Sequence, residues 1–222
     1  MNEQVERALA DHPLLGRLGA DAQRRVAAAA HLRRLSRGQV LFVTGEPSES
    51  LFVVVSGRLR VYASSPRGDE VIFGLVGPGD SVGELTMLDG GARSADVDAV
   101  ESSTLVSVPS SLVRDLLREH PEVLFDLAAS LAADVRRLSG RTTDLVFLDL
   151  RRRVAKLLLD DAGERDVVEL ALSQSGVAAR VGATRQSLNR ALAELVRRGW
   201  IGTDGQRVTL LDRESLARFV DS

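Results

Sequence analysis

Glycines divide the stretch from residue 37 to residue 108 into short segments, and this spacing limits the fold more than any other feature of the chain. The glycines that separate segments stand at positions 38, 45, 57, 68, 77, 79 and 83, with a pair at 90 and 91. The segments between them are rich in β-branched and aromatic residues and cover 40–43, 51–55, 59–62, 71–76, 95–100 and 104–108. Short strands this close together predict an antiparallel barrel or sandwich. Segment 51–55 is apolar at every position, which predicts a sheet buried on both faces.

Helical periodicity flanks this region. Residues 21–35 carry apolar side chains on one side and predict a helix. After Pro109 we predict a short helix over 110–119 and a longer one from Pro121. The longer helix has apolar or small residues alternately four and three positions apart: Leu124, Ala128, Leu131, Val135, Leu138, Thr142 and Leu145. This heptad pattern favours a two-stranded coiled coil; the alternative is a long core helix of a monomer.

The last third of the chain has the pattern of a helix-turn-helix. A short helix is predicted over 173–181, with Ser173 as its N-cap. Gly182-Ala183 then forms a tight turn, and Thr184 caps a second helix over 185–198. Two helices joined by a three-residue turn with a glycine are typical of this motif.

The neighbouring segments extend the motif. A helix over 150–162 precedes it, and an Asp204-Gly205 pair between strand-forming residues follows it. Such a pair predicts a β-hairpin, and a hairpin in this position is a wing. Gly176 falls inside the first helix of the motif, where a glycine costs about 1 kcal/mol relative to alanine. The sequence offers no functional reason for this glycine.

Charge is distributed unevenly along the chain. Residues 1–149 contain 16 basic and 21 acidic residues, whereas residues 150–222 contain 13 basic and 10 acidic residues. Between positions 176 and 198, five arginines stand against one acidic residue, Glu194. A basic stripe in an acidic protein is typical of a nucleic-acid interface, and a solvated helix face is the alternative.

Composition excludes several classes of site. The 222 residues include no cysteine, which rules out disulfides, iron–sulfur clusters with cysteine ligands and a cysteine nucleophile. No histidine lies in the glycine-rich loop or the long helix, so we expect no haem and no metal. No catalytic arrangement of side chains is present, so we expect no enzyme. The N-terminus is polar and no apolar run approaches the length of a membrane span, so we expect a cytoplasmic protein that does not bind membranes.

Three motifs in order along the chain resemble those of the CRP/FNR family, the relatives of the cyclic-AMP receptor protein, and look closer to its actinobacterial branch. Pro78-Gly79-Asp80-Ser81-Val82-Gly83-Glu84-Leu85 with Arg93-Ser94-Ala95 is similar to the family's phosphate-binding cassette. Phe147-Leu148-Asp149 with Arg153-Val154-Ala155 resembles its interdomain hinge, and the segment from Val181 to Arg190 resembles its recognition segment. The resemblance implies an α+β fold with a cyclic-nucleotide-binding β-roll (a jelly-roll-like barrel) at 1–108, a short helix, dimerisation helix and hinge at 109–149, and a winged helix-turn-helix at 150–222.

The cassette suits a cyclic nucleotide. By resemblance, Arg93 supplies the cation for the phosphate and Ser94 a hydroxyl. Gly83 and Leu85 lie in a helical turn whose N–H groups point at the anion, and Glu84 accepts from the ribose hydroxyl. A structural ion pair between Glu84 and Arg93 is the alternative.

The long helix departs from the cyclic-AMP-binding members. Its base-reading pair aligns with Leu138 and Ser139, and leucine cannot form a hydrogen bond with a purine. Ser139 can do so, or it is a small residue that lets two helices approach. We therefore expect cyclic AMP or a related nucleotide as a non-covalent effector, with an unliganded pocket or another effector, such as a cyclic dinucleotide, as the alternative.

The recognition segment predicts how DNA is read. Arg185 and Arg190 suit guanine, and Gln186 suits adenine. Ser173 and Thr184 are candidates for phosphate contacts, although Thr184 could serve only as a cap. Leu124, Leu131, Val135, Leu138, Thr142 and Leu145 are the predicted dimer contacts. We expect a homodimer on double-stranded DNA, with RNA polymerase as a further partner implied by the family.

Overall fold

The strands of the glycine-punctuated region form two antiparallel sheets. The computed structural model describes residues 3–222, which divide into one unit ending at Ala133 and another from Asp134 to Ser222. Within the described part of the first unit the two sheets have four strands each, in the orders β1-β8-β3-β6 and β2-β7-β4-β5. The strands are β1 (His31–Leu35), β2 (Val40–Phe42), β3 (Ser50–Ser56), β4 (Leu59–Ser64), β5 (Glu70–Val76), β6 (Ser81–Val82), β7 (Asp96–Ala99) and β8 (Ser103–Pro109). The predicted β-roll is confirmed.

Strand β3 is buried on both faces, as its apolar sequence predicts. Phe52 and Val54 point into the core between the two sheets. Leu51 and Val53 point the opposite way, into a second core that helices cover. The helices of the first unit are α1 (Glu3–Asp11), α2 (Ala20–Ala29), α3 (Glu84–Asp89), α4 (Ser110–Glu119) and the beginning of α5 (Pro121–Phe147).

The helix predicted over 21–35 is wrong in its last part. Helix α2 ends at Ala29, and β1 follows at His31. Every residue of β1 pairs with a residue of β8, from His31 opposite Ser107 to Leu35 opposite Ser103. Pairing with a strand some 70 residues away in sequence outweighs local helix propensity here.

The second unit contains the rest of α5 and the winged helix-turn-helix. Its helices are α6 (Leu150–Ala162), α7 (Gln174–Arg180), α8 (Arg185–Arg197) and α9 (Arg213–Asp221). Strands β10 (Ile201–Asp204) and β11 (Arg207–Leu210) form the predicted hairpin. The sequence analysis missed β9 (Val167–Glu169), which pairs with β11 and completes a three-stranded sheet.

The predicted hinge coincides with the break between α5 and α6. Helix α5 ends at Phe147, and the Asp149 carboxylate caps α6 by accepting from the Arg152 backbone N–H at 3.0 Å. Lys156 on α6 pairs with Asp144 on α5 at 2.6 Å. The last turn of α5 is therefore tied to the helix that follows it.

Candidate anion site and nucleic-acid interface

Gly83 shapes the loop that precedes α3. Its φ of 95° lies in the left-handed region that favours glycine. A Cβ at this position would overlap the Nη1 atom of Arg93 and lie 3.2 Å from the Ser50 carbonyl oxygen. Both the backbone conformation and the close approach of the guanidinium therefore require glycine here.

Arg93 is a buried cation held by neutral groups. Only 5% of its surface is exposed. Nη2 donates to the Ser50 carbonyl at 2.8 Å, Nη1 donates to the Thr86 hydroxyl at 3.1 Å, and the guanidinium stacks on the Phe42 ring at 4.0 Å. Its Nε atom is buried and has no hydrogen-bond partner. Such a group is suited to pairing with an anion, because charge-assisted bonds strengthen where water is excluded.

The electrostatic surroundings of Arg93 contain both signs of charge. Burial lowers the pKa of Arg93 from its ordinary value, and the carboxylates of Glu46 and Glu84 oppose that shift. The Arg33 guanidinium adds to the lowering. Arginine is effectively always protonated in proteins, so Arg93 keeps its positive charge.

The other predicted cassette residues belong, like Arg93, to the first unit. Glu84 and Leu85 form the first turn of α3, where Glu84 is partly buried and Leu85 is 46% exposed. Ser94 is exposed and follows Arg93 directly. The structure thus brings Gly83 against the Arg93 guanidinium and leaves Leu85 and Ser94 exposed, while contacts of the five predicted phosphate-site residues with a ligand stay a prediction.

Sequence analysis missed Thr86. Its side chain is buried, and its Oγ1 accepts from Arg93 Nη1 and lies 2.7 Å from Ser48 Oγ. The available signal was a hydroxyl residue in the first turn after the Gly83-Glu84 pair. Its importance depends on the folded loop, which brings residues 48, 86 and 93 together.

Helix α5 exposes the predicted seam. Val135 is 62% exposed and Leu138 46% exposed, and Leu124 and Leu145 are also exposed, whereas Leu131 packs partly against the core of the first unit. The seam prediction omitted exposed apolar residues beside it, namely Phe125, Val146 and Phe147. Ser139 is likewise exposed, on the part of α5 that belongs to the second unit. Its proximity to the cassette of the first unit stays a prediction.

The caps of the helix-turn-helix lie where the sequence predicts them. Ser173 Oγ accepts from the Gly176 backbone N–H at 3.3 Å, and Thr184 Oγ1 accepts from the Ser187 backbone N–H at 3.2 Å. The turn between the helices contains Gly182 with φ at 65°. The cap role of Thr184 is confirmed; its phosphate contact stays a prediction.

Gly176 has a packing reason. It is buried, and a Cβ there would lie 2.9 Å from the Cβ of Leu172. A larger residue would push α7 away from the segment before it. The glycine that the sequence left unexplained thus allows close packing at the start of the motif.

Helix α8 has a buried and an exposed side. Leu188, Ala191 and Leu195 are buried. The exposed side presents Arg185, Gln186, Asn189 and Arg190. All three predicted base-reading residues are therefore exposed in the first half of α8, the part of a recognition helix that contacts base edges in the major groove.

The hydrogen bonds on this exposed side differ between the two arginines. Arg185 Nε donates to Oε1 of Gln174, the first residue of α7, at 3.2 Å, and Asn189 Nδ2 donates to the same oxygen at 3.4 Å. Arg190 has only a 3.5 Å contact to Ser187 Oγ. Sequence analysis assigned no role to Gln174 or Asn189.

Residues 3–222 contain neither a cluster of metal ligands nor a helix that could span a membrane. No group of three or more histidine, aspartate or glutamate side chains in this range could hold a metal ion. No helix in it is long and apolar enough to cross a membrane.

Two family models match separate parts of the chain. Residues 32–120 match the cyclic nucleotide-binding domain family, and residues 152–219 match the Crp-like helix-turn-helix domain family.

Individual proteins are similar over most of the chain. A CRP-like cAMP-activated global transcriptional regulator of Mycobacterium tuberculosis is 35% identical over 189 residues, which cover 82% of this chain and 84% of that protein. The cyclic AMP receptor protein of Thermus thermophilus is 33% identical and covers 75% of this chain and 78% of its own length. Among solved structures, the c-di-GMP responsive global regulator CLP of Xanthomonas campestris has the same fold, with a TM-score of 0.75 and 23% identity over 86% of this chain and 99% of that one.

Proposed function

Because the chain belongs to the CRP/FNR family of transcription regulators, we propose that it binds a pseudo-palindromic DNA site as a homodimer and that a cyclic nucleotide, cyclic AMP, modulates this binding. The regulator of Mycobacterium tuberculosis and the receptor of Thermus thermophilus, which bear cAMP in their names, support this effector. RNA polymerase is the further partner that the family implies.

The buried guanidinium of Arg93 is the observation that carries the ligand half of the proposal. A cyclic nucleotide brings one phosphate charge, and Arg93 with Ser94 and the N–H groups of the first turn of α3 would receive it. Glu84 would accept from the ribose hydroxyl. These contacts supply most of the affinity, because they include the charged groups.

By resemblance to the family, the base-reading pair of α5 supplies one hydroxyl, that of Ser139, where the cyclic-AMP-binding members have two. A lost neutral hydrogen bond costs about 0.5–1.5 kcal/mol, which weakens binding roughly threefold to tenfold without abolishing it. The protein therefore binds cyclic AMP, but cyclic AMP changes its DNA affinity only modestly.

Leucine at every seventh position of α5 favours a dimer that forms without ligand. Leu124, Leu131, Leu138 and Leu145 make this repeat, and Val135 lies between the second and third of them. Valine and leucine in these alternating positions favour two-stranded coiled coils. Leu138, which replaces a ligand-binding hydroxyl, thus adds to the dimer contact.

A second candidate keeps the DNA function and changes the sensor: the pocket is unliganded, or it takes another effector such as a cyclic dinucleotide. The c-di-GMP response named for the CLP regulator, which shares the fold, favours including it. Calorimetry with cyclic AMP, cyclic GMP and cyclic di-GMP separates the two candidates. Heat from cyclic AMP alone supports the first, and heat from cyclic di-GMP alone supports the second.

The phosphate site is tested by Arg93→Ala, which should eliminate cyclic AMP binding in calorimetry. Arg93→Lys keeps the charge but not the fork, so it should retain weak binding. Thermal unfolding of both variants shows whether they are folded. Cyclic AMP binding by folded Arg93→Ala at the affinity of the unchanged protein would refute the assignment.

The dimer is tested by Val135→Asp, which places a charge on the seam. An unpaired charge buried between helices is strongly unfavourable, so the variant should be monomeric at micromolar concentration in light scattering. Ala133→Asp is the matched control, because residue 133 is exposed two positions earlier, on the opposite side of α5. A dimeric Val135→Asp variant, or a monomeric unchanged protein, would contradict the proposal.

A further inference from the structure

The two helices of the helix-turn-helix are joined across their exposed sides by Gln174. Its Oε1 accepts from Arg185 Nε at 3.2 Å and from Asn189 Nδ2 at 3.4 Å. The arginine Nε can only donate, so the amide oxygen of Gln174 must face α8. All three side chains are exposed, so the group lies on the surface that faces DNA in the proposed function.

The geometry points to a base-reading group in which Gln174 positions Arg185 and Asn189 is an additional specificity-determining residue. This inference rests on the proposed function. A guanidinium offers two forked edges, one of Nε with Nη2 and one of Nη1 with Nη2. With Nε occupied by Gln174, the edge of Nη1 and Nη2 stays available for O6 and N7 of guanine.

The hydrogen bond to Gln174 also positions Asn189 to contact a DNA base. It lies four residues after Arg185, so the two share one side of α8. Because its Nδ2 donates to Gln174, its Oδ1 is directed away from Gln174 and can accept from the exocyclic amino group of adenine or cytosine. The base pair that it reads is next to the pair read by Arg185.

The start of α7 fixes the position of Gln174. Ser173 caps the helix, and Gly176 lets it pack against Leu172. Two side chains held before DNA arrives lose less conformational freedom on binding than free ones. Arg190, which has no comparable partner at a short distance, should therefore discriminate between bases less strongly than Arg185.

The test is selection of binding sites from a random DNA library with the full-length protein and its variants. Gln174→Ala should lower the preference for guanine at the position read by Arg185 by roughly threefold to tenfold, the effect of one solvent-exposed hydrogen bond. Asn189→Ala should lower the preference at the neighbouring base pair on the order of tenfold. Thermal unfolding temperature and dimer state should not change in either variant.

Gln174→Glu keeps an acceptor for Arg185 and should restore the guanine preference, although its added negative charge lowers affinity for all sequences. Ser175→Ala is the matched control: Ser175 is the exposed neighbour of Gln174, and its loss should leave every base preference unchanged.

Two results would overturn the inference and can be told apart from failure of the proposed function. If the unchanged protein selects a site and Gln174→Ala lowers affinity for all sequences equally, Gln174 is a phosphate contact and the inference is wrong. If Gln174→Ala and Asn189→Ala select the same site as strongly as the unchanged protein, it is also wrong. If the unchanged protein selects no sequence at all, the proposed function fails, and the inference fails with it.

Discussion

Thr86 shows how one hydroxyl can set the geometry of a charged side chain. It is buried, and its oxygen holds Arg93 Nη1 while lying within hydrogen-bond distance of Ser48. Arginine side chains lose rotational freedom when they are fixed, so a partner that fixes Arg93 in advance lowers the cost of ligand binding.

We expect Thr86→Val to weaken cyclic AMP binding and to destabilise the fold. Valine has nearly the same shape but leaves the Arg93 donor without its acceptor, which costs about 1–3 kcal/mol for a buried group. Calorimetry and denaturant unfolding measure the two effects. Thr86→Ser keeps the hydroxyl and is the control; a Thr86→Val variant that behaves like Thr86→Ser would show that the hydroxyl is dispensable.

His12 is another buried side chain whose role depends on its protonation. Its Nδ1 accepts from the backbone N–H groups of Leu14 and Leu15, at 3.2 and 3.1 Å, which caps the turn at Leu15–Arg17. Burial lowers the pKa of His12 to about 4, with a smaller opposing effect from Asp80. Only the neutral ring has the acceptor that this cap requires.

Stability should therefore fall in mild acid. Above pH 6.5 His12 is neutral in both states and its contribution is fully present. As the pH falls from 6.5 to about 4, the unfolded chain takes up a proton that the folded chain does not, and about 3 kcal/mol is lost. The substitution His12→Asn keeps an acceptor that does not titrate. Between about pH 7 and about pH 4, the unfolding free energy of this variant should therefore fall by about 3 kcal/mol less than that of the unchanged protein. If the unfolding free energies of the two proteins changed with pH in parallel, this role of His12 would be contradicted.

Two helical glycines of this chain have opposite surroundings. A Cβ at Gly176 in α7 would lie 2.9 Å from Leu172, whereas a Cβ at Gly140 in α5 would meet no described atom within 4 Å. Helix propensity alone favours alanine at both positions by about 1 kcal/mol. Packing should therefore decide whether alanine stabilises or destabilises the protein at each position.

We expect Gly140→Ala to raise the thermal unfolding temperature and Gly176→Ala to lower it. The first variant gains propensity in open space, and the second forces α7 away from Leu172 at a cost typical of overpacking, about 1–3 kcal/mol. Each variant is the control for the other in a single calorimetric comparison. Stabilisation of both would mean that the start of α7 adjusts freely.

At the scale of the whole molecule, the two units differ in the sign of their net charge. The segment that contains the cassette is net acidic, and the segment that contains the recognition helix is net basic. This division concentrates the attraction for DNA phosphates in the second unit. In the proposed function the phosphate of the ligand and the DNA contact different units, so any influence of ligand on DNA binding is a coupling free energy between sites.

Leu138→Thr should increase that coupling. The variant restores the hydroxyl found in the cyclic-AMP-binding members, so cyclic AMP should raise DNA affinity by a larger factor than in the unchanged protein. Fluorescence anisotropy with and without cyclic AMP gives the factor. Because coupling is reciprocal, DNA should raise cyclic AMP affinity by the same factor in calorimetry. An unchanged factor in a variant that stays dimeric would mean that the switch does not involve the base.

The sequence by itself determined the features that depend on neighbouring residues. Glycines with positive φ ended strands at the predicted turns, Ser173 and Thr184 capped their helices, and the short β-branched and aromatic runs identified the strands of the β-roll. Caps and tight turns are made within a few residues, so local sequence carries their full signal. The cassette motif also contains Gly83, whose positive φ is one that glycine adopts readily.

Only the tertiary structure decided the features that join distant segments. Strand β1 was predicted as helix because its partner β8 lies some 70 residues away, and β9 was missed because three residues carry little periodicity. Thr86 and Gln174 acquire their roles by contacts with Arg93 and Arg185, which no local pattern specifies. Long-range pairing and packing select among conformations that local propensity leaves nearly equal in free energy, and a single sequence records those propensities but not the partners.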